Sequence, residues 1–110
     1  MKYHNRKIIV DDNIKFDSLK EARRYHELKI LEKANEITEL RLQVHFELQP
    51  SFKKNNRVIR KIEYIADFVY YDNKLQKYIV EDVKGYKTDV YKLKKKLFEY
   101  KYQHLTIKEL

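Results

Sequence analysis

The stretch "RVIRKIEYIADFVYYDNKLQKYIVEDVKG", residues 57–85, decides the fold. β-branched and aromatic residues dominate both of its arms, which is typical of strands. A polar segment, residues 72–75, joins the arms and predicts a turn between two long antiparallel strands. The second arm ends in the charged sequence EDVK, residues 81–84. An apolar strand that ends in these charges has two explanations. Either the strand end lies in solvent, or it forms a functional site at the edge of the sheet.

The N-terminal part predicts a short hairpin followed by a helix. Ile8–Val10 and Ile14–Phe16 flank a turn-forming cluster of aspartate and asparagine. Ser18 is a favourable N-cap, and Glu21 stands three residues later, as in a capping box. Asn35 predicts a left-handed stop at the end of this helix.

Residues 39–50 contain the clearest strand pattern, because apolar and polar residues alternate along them. The apolar positions are Leu40, Leu42, Val44, Phe46 and Leu48. The alternation predicts one buried face and one polar face, and Pro50 predicts the end of the strand.

The C-terminal part predicts a second helix and a last short strand. Thr88 or Asp89 caps a helix over residues 88–103, and residues 104–110 form the strand. The apolar residues expected to face the core are Val90, Leu93, Leu97 and Tyr100. The order of elements predicts an α/β (α+β) fold, in which two helices flank a mixed sheet. We expect a single domain over residues 1–110.

Composition restricts the classes of function. The 110 residues include 25 Lys and Arg against 17 Asp and Glu, a net charge of +8, which favours a polyanionic partner such as nucleic acid. The absence of cysteine excludes disulfides, thiol nucleophiles and cysteine-ligated zinc. No apolar stretch suits a signal peptide or a membrane span, so we expect a cytoplasmic protein without a membrane partner.

The long hairpin places two carboxylates close together. With residues 73–74 at the turn centre, Asp67 pairs with Val80 and is the diagonal neighbour of Asp82. Because side chains alternate along a strand, Asp67, Asp82 and Lys84 share one face. A one-residue change of register would reverse this placement.

Two carboxylates from adjacent strands form an oxygen-rich site that suits Mg²⁺ or Mn²⁺. Such a metal activates water for phosphodiester hydrolysis, and Lys84 beside it can position the water or stabilise developing charge. Glu81 is expected on the opposite face of the sheet. The alternative is structural, with Lys84 forming a salt bridge to one aspartate at the sheet end.

Five blocks of the sequence occur in the order "KYHN", "FDSLKEARRY", "RKIEYIADFVY", "VEDVKG" and "TDVYKLKKKLF". In these blocks the chain resembles a small phage-borne family that is grouped with the PD-(D/E)XK nucleases, and the match covers nearly its whole length. The resemblance implies a restriction-endonuclease-like core. That family is also similar to Holliday-junction resolvases and other phage recombination nucleases, although the substrate does not follow from the resemblance. Branched or recombination-intermediate DNA is the substrate that we expect, ahead of plain duplex.

The resemblance also implies a set of catalytic residues. A helix glutamate, a strand aspartate and an (E/D)-x-K strand form the metal site in that superfamily, and these fall on Glu21, Asp67, Asp82 and Lys84. Ala66 stands where the superfamily often has proline. The capping box is a second explanation for Glu21.

Four residues are candidates for contacts with DNA: Lys87, Lys94, Lys95 and Gln43. A solvated lysine face and an ordinary exposed glutamine explain the same residues. The main hypothesis is a metal-dependent DNA endonuclease of a phage or prophage, acting in the bacterial cytoplasm as a possible homodimer. The alternative is a non-catalytic phage protein that binds nucleic acid or a host protein.

Overall fold

The computed structural model describes residues 8–10 and 14–110, with side chains for residues 14–110. In chain order, the described elements are β1 (Ile8–Val10), β2 (Ile14–Phe16), α1 (Leu19–Lys33), β3 (Ile37–Gln49), β4 (Phe52–Lys54), β5 (Arg57–Ile59), β6 (Ile62–Asp72), β7 (Lys77–Asp82), α2 (Asp89–Lys101) and β8 (Ile107–Glu109). The predicted hairpin of β1 and β2 is confirmed. Its turn, residues 11–13, lies outside the described residues.

Four strands form a mixed sheet in the order β3-β6-β7-β8. β6 pairs antiparallel with β3 and β7, whereas β8 is parallel to β7. The helices cover opposite faces, because Val80 of β7 packs beneath α2 while the next residue, Glu81, contacts Arg24 of α1. The predicted mixed α+β fold with two helices is confirmed. Within the described residues, no helix combines the length and apolarity needed to cross a bilayer.

The register of the β6–β7 hairpin differs from the predicted one. Val80 pairs with Val69 rather than with Asp67. The prediction was wrong because the turn takes residues 73–76, where a centre of only two residues was expected. The shift is an even number of residues, so the shift by itself moves no side chain to the other face of the sheet. Continuing this register by one pair places Asp67 opposite Asp82.

β3 changes faces halfway along its length, which corrects the prediction of one apolar face. Leu40 and Leu42 pack beneath α1, whereas Val44, Phe46 and Leu48 pack beneath α2. The change occurs at Gln43, whose φ is 52°. Positive φ is uncommon outside glycine, and here it accompanies the rotation of the strand. An alternating sequence does not reveal such a rotation.

β6 changes faces at the same level of the sheet. Ala66 packs beneath α2 and Phe68 packs beneath α1, although unbroken alternation would put them on one face. Asp67 lies between them and stands opposite Gln43, because the pairs on either side keep one register. The two polar residues therefore occupy the level at which the sheet exchanges its apolar faces.

The sheet separates two buried clusters. The cluster beneath α1 consists of Phe16, Ala22, Tyr25, Leu28, Ile37, Phe68 and Tyr70. The cluster beneath α2 consists of Tyr64, Ala66, Val69, Val80, Tyr91, Phe98 and Ile107.

The buried face of α2 is not the one that its aliphatic spacing predicts. Tyr91 and Phe98 are buried, with their rings near that of Tyr64. The predicted core residues are exposed instead: Val90 (62%), Leu93 (59%), Leu97 (40%) and Tyr100 (77%). The prediction was wrong because two large rings on the neighbouring face bury more area than the aliphatic side chains. The structure thus leaves an apolar stripe of α2 in solvent.

β4 and β5 form a separate hairpin that the sequence analysis missed. Residues 57–59 were predicted to begin the long strand, which in fact starts at Ile62. The turn consists of Asn55 and Asn56, with φ of 51° and 61°, as a type I′ turn requires. The Asn-Asn pair was the signal for this turn. The predicted end of β3 before Pro50 is confirmed.

The corrected face of α2 makes a prediction about stability. We expect Phe98→Ala to lower the free energy of unfolding by about 3–5 kcal/mol, since it removes a buried ring. Leu93→Ala, on the exposed stripe, should change it by about 0.5 kcal/mol or less. Urea unfolding followed by circular dichroism, at concentrations where the chain is monomeric, measures both. A larger loss for Leu93→Ala than for Phe98→Ala would contradict the assignment of the faces.

Candidate active site

Asp82 ends β7 as a buried carboxylate, only 1% exposed. Its Oδ2 accepts a 2.6 Å hydrogen bond from the hydroxyl of Tyr64. Its Oδ1 accepts no hydrogen bond from the described residues, although Lys84 Nζ lies 3.5 Å away. Leaving a buried acceptor unsatisfied is unfavourable. Asp82 therefore has one fixed oxygen and one oxygen available to a cation or to water.

Asp67 is held in a similar way. Its Oδ2 accepts a 2.7 Å hydrogen bond from the backbone N–H of Val83, and its Oδ1 accepts a longer one, 3.4 Å, from Gln43 Nε2. Burial raises the pKa of Asp67 and the charge of Asp82 raises it further, while the Val83 N–H opposes the shift. The two aspartates are thus oriented by the protein and electrostatically coupled.

Glu21 reaches this place from the first turn of α1. Its backbone N–H donates to Ser18 Oγ at 3.1 Å, so half of the predicted capping box is confirmed. Its carboxylate instead accepts a 3.2 Å hydrogen bond from Gln43 Nε2, so the buried side chain faces the sheet. Burial, followed by the charge of Asp67, raises the pKa of Glu21 from 4.5 to about 7.

Gln43 lies between two of the candidate carboxylates. Its amide nitrogen donates to Glu21 and Asp67, so the structure places this predicted DNA contact within the carboxylate cluster. The backbone at Gln43 has positive φ, and such strained residues are concentrated at functional sites. Gln43 stands opposite Asp67 in the β3–β6 register, a pairing that the structure shows and that the sequence analysis did not predict.

Lys84 lies just beyond the end of β7 and is partly exposed. Besides its contact with Asp82, its ammonium lies 5.0 Å from the ring centroid of Tyr91. A cation over an aromatic face is favoured, so the ring helps to keep the ammonium beside the carboxylate. The ion pair of the structural alternative is present, and Lys84 also borders an open cavity.

Glu81 faces the other side of the sheet, as predicted. It is fully buried and accepts hydrogen bonds from Arg24 Nε at 2.8 Å and Arg24 Nη2 at 2.6 Å. The hydroxyl of Tyr70 donates to it as well. Sequence reasoning missed Arg24, although it follows Glu21 by one helical turn. This bidentate pair attaches α1 to β7 next to Asp82.

The lysines predicted to contact DNA have different surroundings. Lys87 and Lys95 both form ion pairs with Glu109 Oε1, at 3.2 and 3.3 Å. Lys94 forms no ion pair with the described residues, and it lines the same cavity as Lys84. Of the three, Lys94 is the cation best placed to meet a ligand beside the carboxylates.

The candidate carboxylates can be compared with the ligands that a divalent cation requires. Among the described side chains, no group of three or more carboxylates or imidazoles is arranged to hold a metal ion. Mg²⁺, however, is usually held by one or two carboxylates together with waters and substrate phosphates. Asp67 and Asp82 offer two hard oxygen donors, one of them without a hydrogen bond. The chemistry of this pair is compatible with Mg²⁺ or Mn²⁺, to which Glu21 would add a contact directly or through water.

The raised pKa of Glu21 predicts how stability depends on pH. Between pH 4.5 and about 7 the folded protein binds more protons at Glu21 than the unfolded chain does. The stability contributed by this group is therefore present at low pH and is lost as the pH rises through that window. We expect Glu21→Gln to remove this loss in the metal-free protein, and added Mg²⁺ to reduce it in the wild type. Urea midpoints measured across the window test both expectations.

Glu27→Gln is the matched control, because Glu27 lies on the same helix with an exposed side chain. It should leave the pH dependence of stability nearly unchanged. An equal effect of the two substitutions would show that burial of Glu21 beside the aspartates is not the cause.

The comparisons with known proteins identify a family. A family model described as "Protein of unknown function (DUF1064)" matches residues 1–109. No curated protein and no solved structure matches the chain. The matched segment contains all the candidate carboxylates and lysines. Because it covers nearly the whole sequence, the chain belongs to the DUF1064 family of proteins of unknown function.

Proposed function

We propose that this protein is a Mg²⁺- or Mn²⁺-dependent DNA endonuclease. The observation that carries the proposal is the arrangement of Asp67 and Asp82. Each has one oxygen fixed by a protein donor, at 2.7 and 2.6 Å, and one oxygen that is weakly engaged or lacks a hydrogen bond. Asp82 is buried and Asp67 is partly buried, and two neighbouring carboxylates removed from solvent in this way are unfavourable for folding. Such arrangements are concentrated at functional sites.

Each residue of the site has a proposed role. Asp67 and Asp82 hold the cation, and Glu21 contributes directly or through water. The bound cation supplies Lewis-acid activation of water and neutralises charge on the scissile phosphate. Lys84 donates a hydrogen bond to the attacking water or to a phosphate oxygen, where it stabilises developing negative charge. Hydrolysis adds water across one phosphorus–oxygen bond and leaves a phosphomonoester and a free hydroxyl.

Charge supports DNA as the substrate. The net charge of +8 favours binding to a polyanion, as does Lys94, which has no ion-pair partner among the described residues and lines a cavity together with Lys84. A relation to the PD-(D/E)XK nucleases, with a restriction-endonuclease-like core and a phage or prophage source, is part of the same proposal. It places the activity in the bacterial cytoplasm and favours branched DNA over plain duplex.

The second candidate is a non-catalytic protein that binds nucleic acid or a host protein. It is favoured by the ion pair between Lys84 and Asp82 and by the lack of a ready group of three metal ligands among the described side chains. The two candidates differ in one measurable respect, since only the first requires metal-dependent cleavage.

We expect the purified protein to cleave DNA when Mg²⁺ or Mn²⁺ is present, with four-way or flapped DNA cut faster than linear duplex. Asp82→Asn should reduce cleavage by at least about a hundredfold, because a group that acts on the transition state is removed. The amide oxygen can still accept the hydrogen bond from Tyr64, so folding and DNA binding should survive. A gel assay on a panel of linear, flapped and four-way DNAs measures the rates.

Glu63→Gln is the control, since Glu63 belongs to the same strand as Asp67 but pairs with His45 away from the cluster. It should cleave like the wild type. Unchanged activity in both Asp67→Asn and Asp82→Asn would overturn the assigned site. DNA binding without cleavage of any substrate would support the second candidate.

A homodimer is a further part of the proposal. The exposed residues Leu93, Leu97 and Tyr100 follow one another at spacings of four and three along α2, as apolar residues do in paired helices. A symmetric pair of chains would cover this stripe and place two sites on one branched substrate.

We expect the wild type to sediment as a dimer and the double variant Leu93→Glu, Leu97→Glu to sediment as a monomer, because two charges would enter the apolar contact. Leu75→Glu is the control, since Leu75 is 58% exposed at the β6–β7 turn and lies off the stripe. Analytical ultracentrifugation over a concentration series measures the result. A monomeric wild type throughout, or a double variant that remains dimeric, would contradict the α2 interface.

A further inference from the structure

A cavity of about 250 Å³ opens beside Lys84. Its walls come from β6, from the segment that follows β7, and from the start of α2, and they include Ile65, Val90 and Lys94. Pockets for drug-sized ligands measure about 300–1,000 Å³. The cavity therefore suits one small unit of a polymer rather than the width of a DNA duplex.

The cavity combines two cations. Lys84 and Lys94 both line it, and none of its lining residues is a carboxylate among the side chains that the structure describes. Lys94 has no ion-pair partner in that part of the chain, in contrast to Lys87 and Lys95, which pair with Glu109. Lys84 is paired with Asp82 at 3.5 Å but is partly exposed, and Lys94 has no counter-charge among the described side chains, so the two ammonium groups favour a phosphate group between them.

Part of the remaining wall is apolar, beside Thr88 and two tyrosines. Ile65 is 43% exposed and Val90 is 62% exposed, although both are aliphatic and β-branched. A paired duplex presents mainly phosphate and sugar to a protein surface, and its bases are stacked inside. An unpaired nucleotide presents a flat base as well, which apolar and aromatic side chains bind without regard to its identity.

We propose that this cavity holds one unpaired nucleotide of the DNA, with its phosphate on Lys84 and Lys94 and its base against Ile65 and Val90. The inference rests on the proposed function for its choice of DNA, and it names the substrate class as DNA with an unpaired strand next to the cut. Lys84 then links the cavity to the carboxylates, since it lies 3.5 Å from Asp82 and lines the cavity.

Binding without cleavage tests the inference separately from catalysis. A fluorescein-labelled oligodeoxythymidine and a duplex of equal length are titrated with the protein in EDTA, and fluorescence anisotropy gives the two dissociation constants. We expect Lys94→Ala to weaken binding of the single strand by about tenfold, since it removes a charge-assisted contact. Lys96→Ala, an exposed lysine of the same helix outside the cavity, should change it by less than about threefold.

A second pair of variants tests the apolar wall. Ile65→Ser should weaken binding of the single strand while leaving binding of the duplex unchanged. Ile62→Ser, at an exposed position of the same strand outside the cavity, should affect neither. Equal effects of Lys94→Ala and Lys96→Ala, or an Ile65→Ser variant that binds the single strand like the wild type, would overturn the inference. Single-strand binding with this pattern but no cleavage would uphold it while rejecting the nuclease.

Discussion

One constraint organises the whole structure: a single pair of strands, β3 and β6, must supply a core to two helices on opposite faces of the sheet. Strict alternation would give both strands one apolar face and leave one helix without a partner. The chain meets this constraint by exchanging faces at Gln43 and Asp67, which stand opposite each other. At that level neither strand presents an apolar side chain. Polar residues can therefore converge there without displacing core packing, and Glu21 joins them from α1.

The two carboxylates at the end of β7, Glu81 and Asp82, differ in how many hydrogen-bond donors they have. Glu81 is neutralised by a bidentate Arg24 and by Tyr70, so its burial is fully compensated. Asp82 receives one hydroxyl hydrogen bond and lies 3.5 Å from the ammonium of Lys84, which leaves one buried oxygen without a hydrogen-bond donor among the described residues. Through its contact with Arg24, Glu81 joins α1 to β7. This contact also fixes the position of Glu21, one helical turn before Arg24, relative to the strand ends. The incompletely compensated residue is the one with capacity to bind a ligand.

The sequence was sufficient for the order of the two helices and of the strands in the main sheet, and for the placement of Glu81 behind that sheet, because these follow from local patterns; it did not predict the β4–β5 hairpin. The sequence was insufficient for features that depend on turn geometry, on backbone torsion angles or on competition for burial, because local patterns do not determine these. The hairpin register depended on residues 73–76, whose polar character fits several turn lengths. The change of faces in β3 occurs at Gln43, which has a positive φ. The alternation of apolar and polar residues in the sequence would be the same without that change. The buried face of α2 contains Tyr91 and Phe98 rather than the aliphatic residues. Helical spacing identifies two apolar faces but does not indicate which of them is buried.

The charges of the site also link protons and cations. Glu21, Asp67 and Asp82 repel one another, and the ammonium of Lys84 only partly offsets them. At a pKa of about 7, Glu21 keeps its proton in half of the metal-free molecules at that pH. Under the proposed function, a divalent cation that binds Glu21 would displace this proton, so its affinity would rise with pH while the stability of the metal-free fold falls. A purely structural ion pair between Lys84 and Asp82 predicts the fall in stability alone, because no cation would then bind as Glu21 loses its proton.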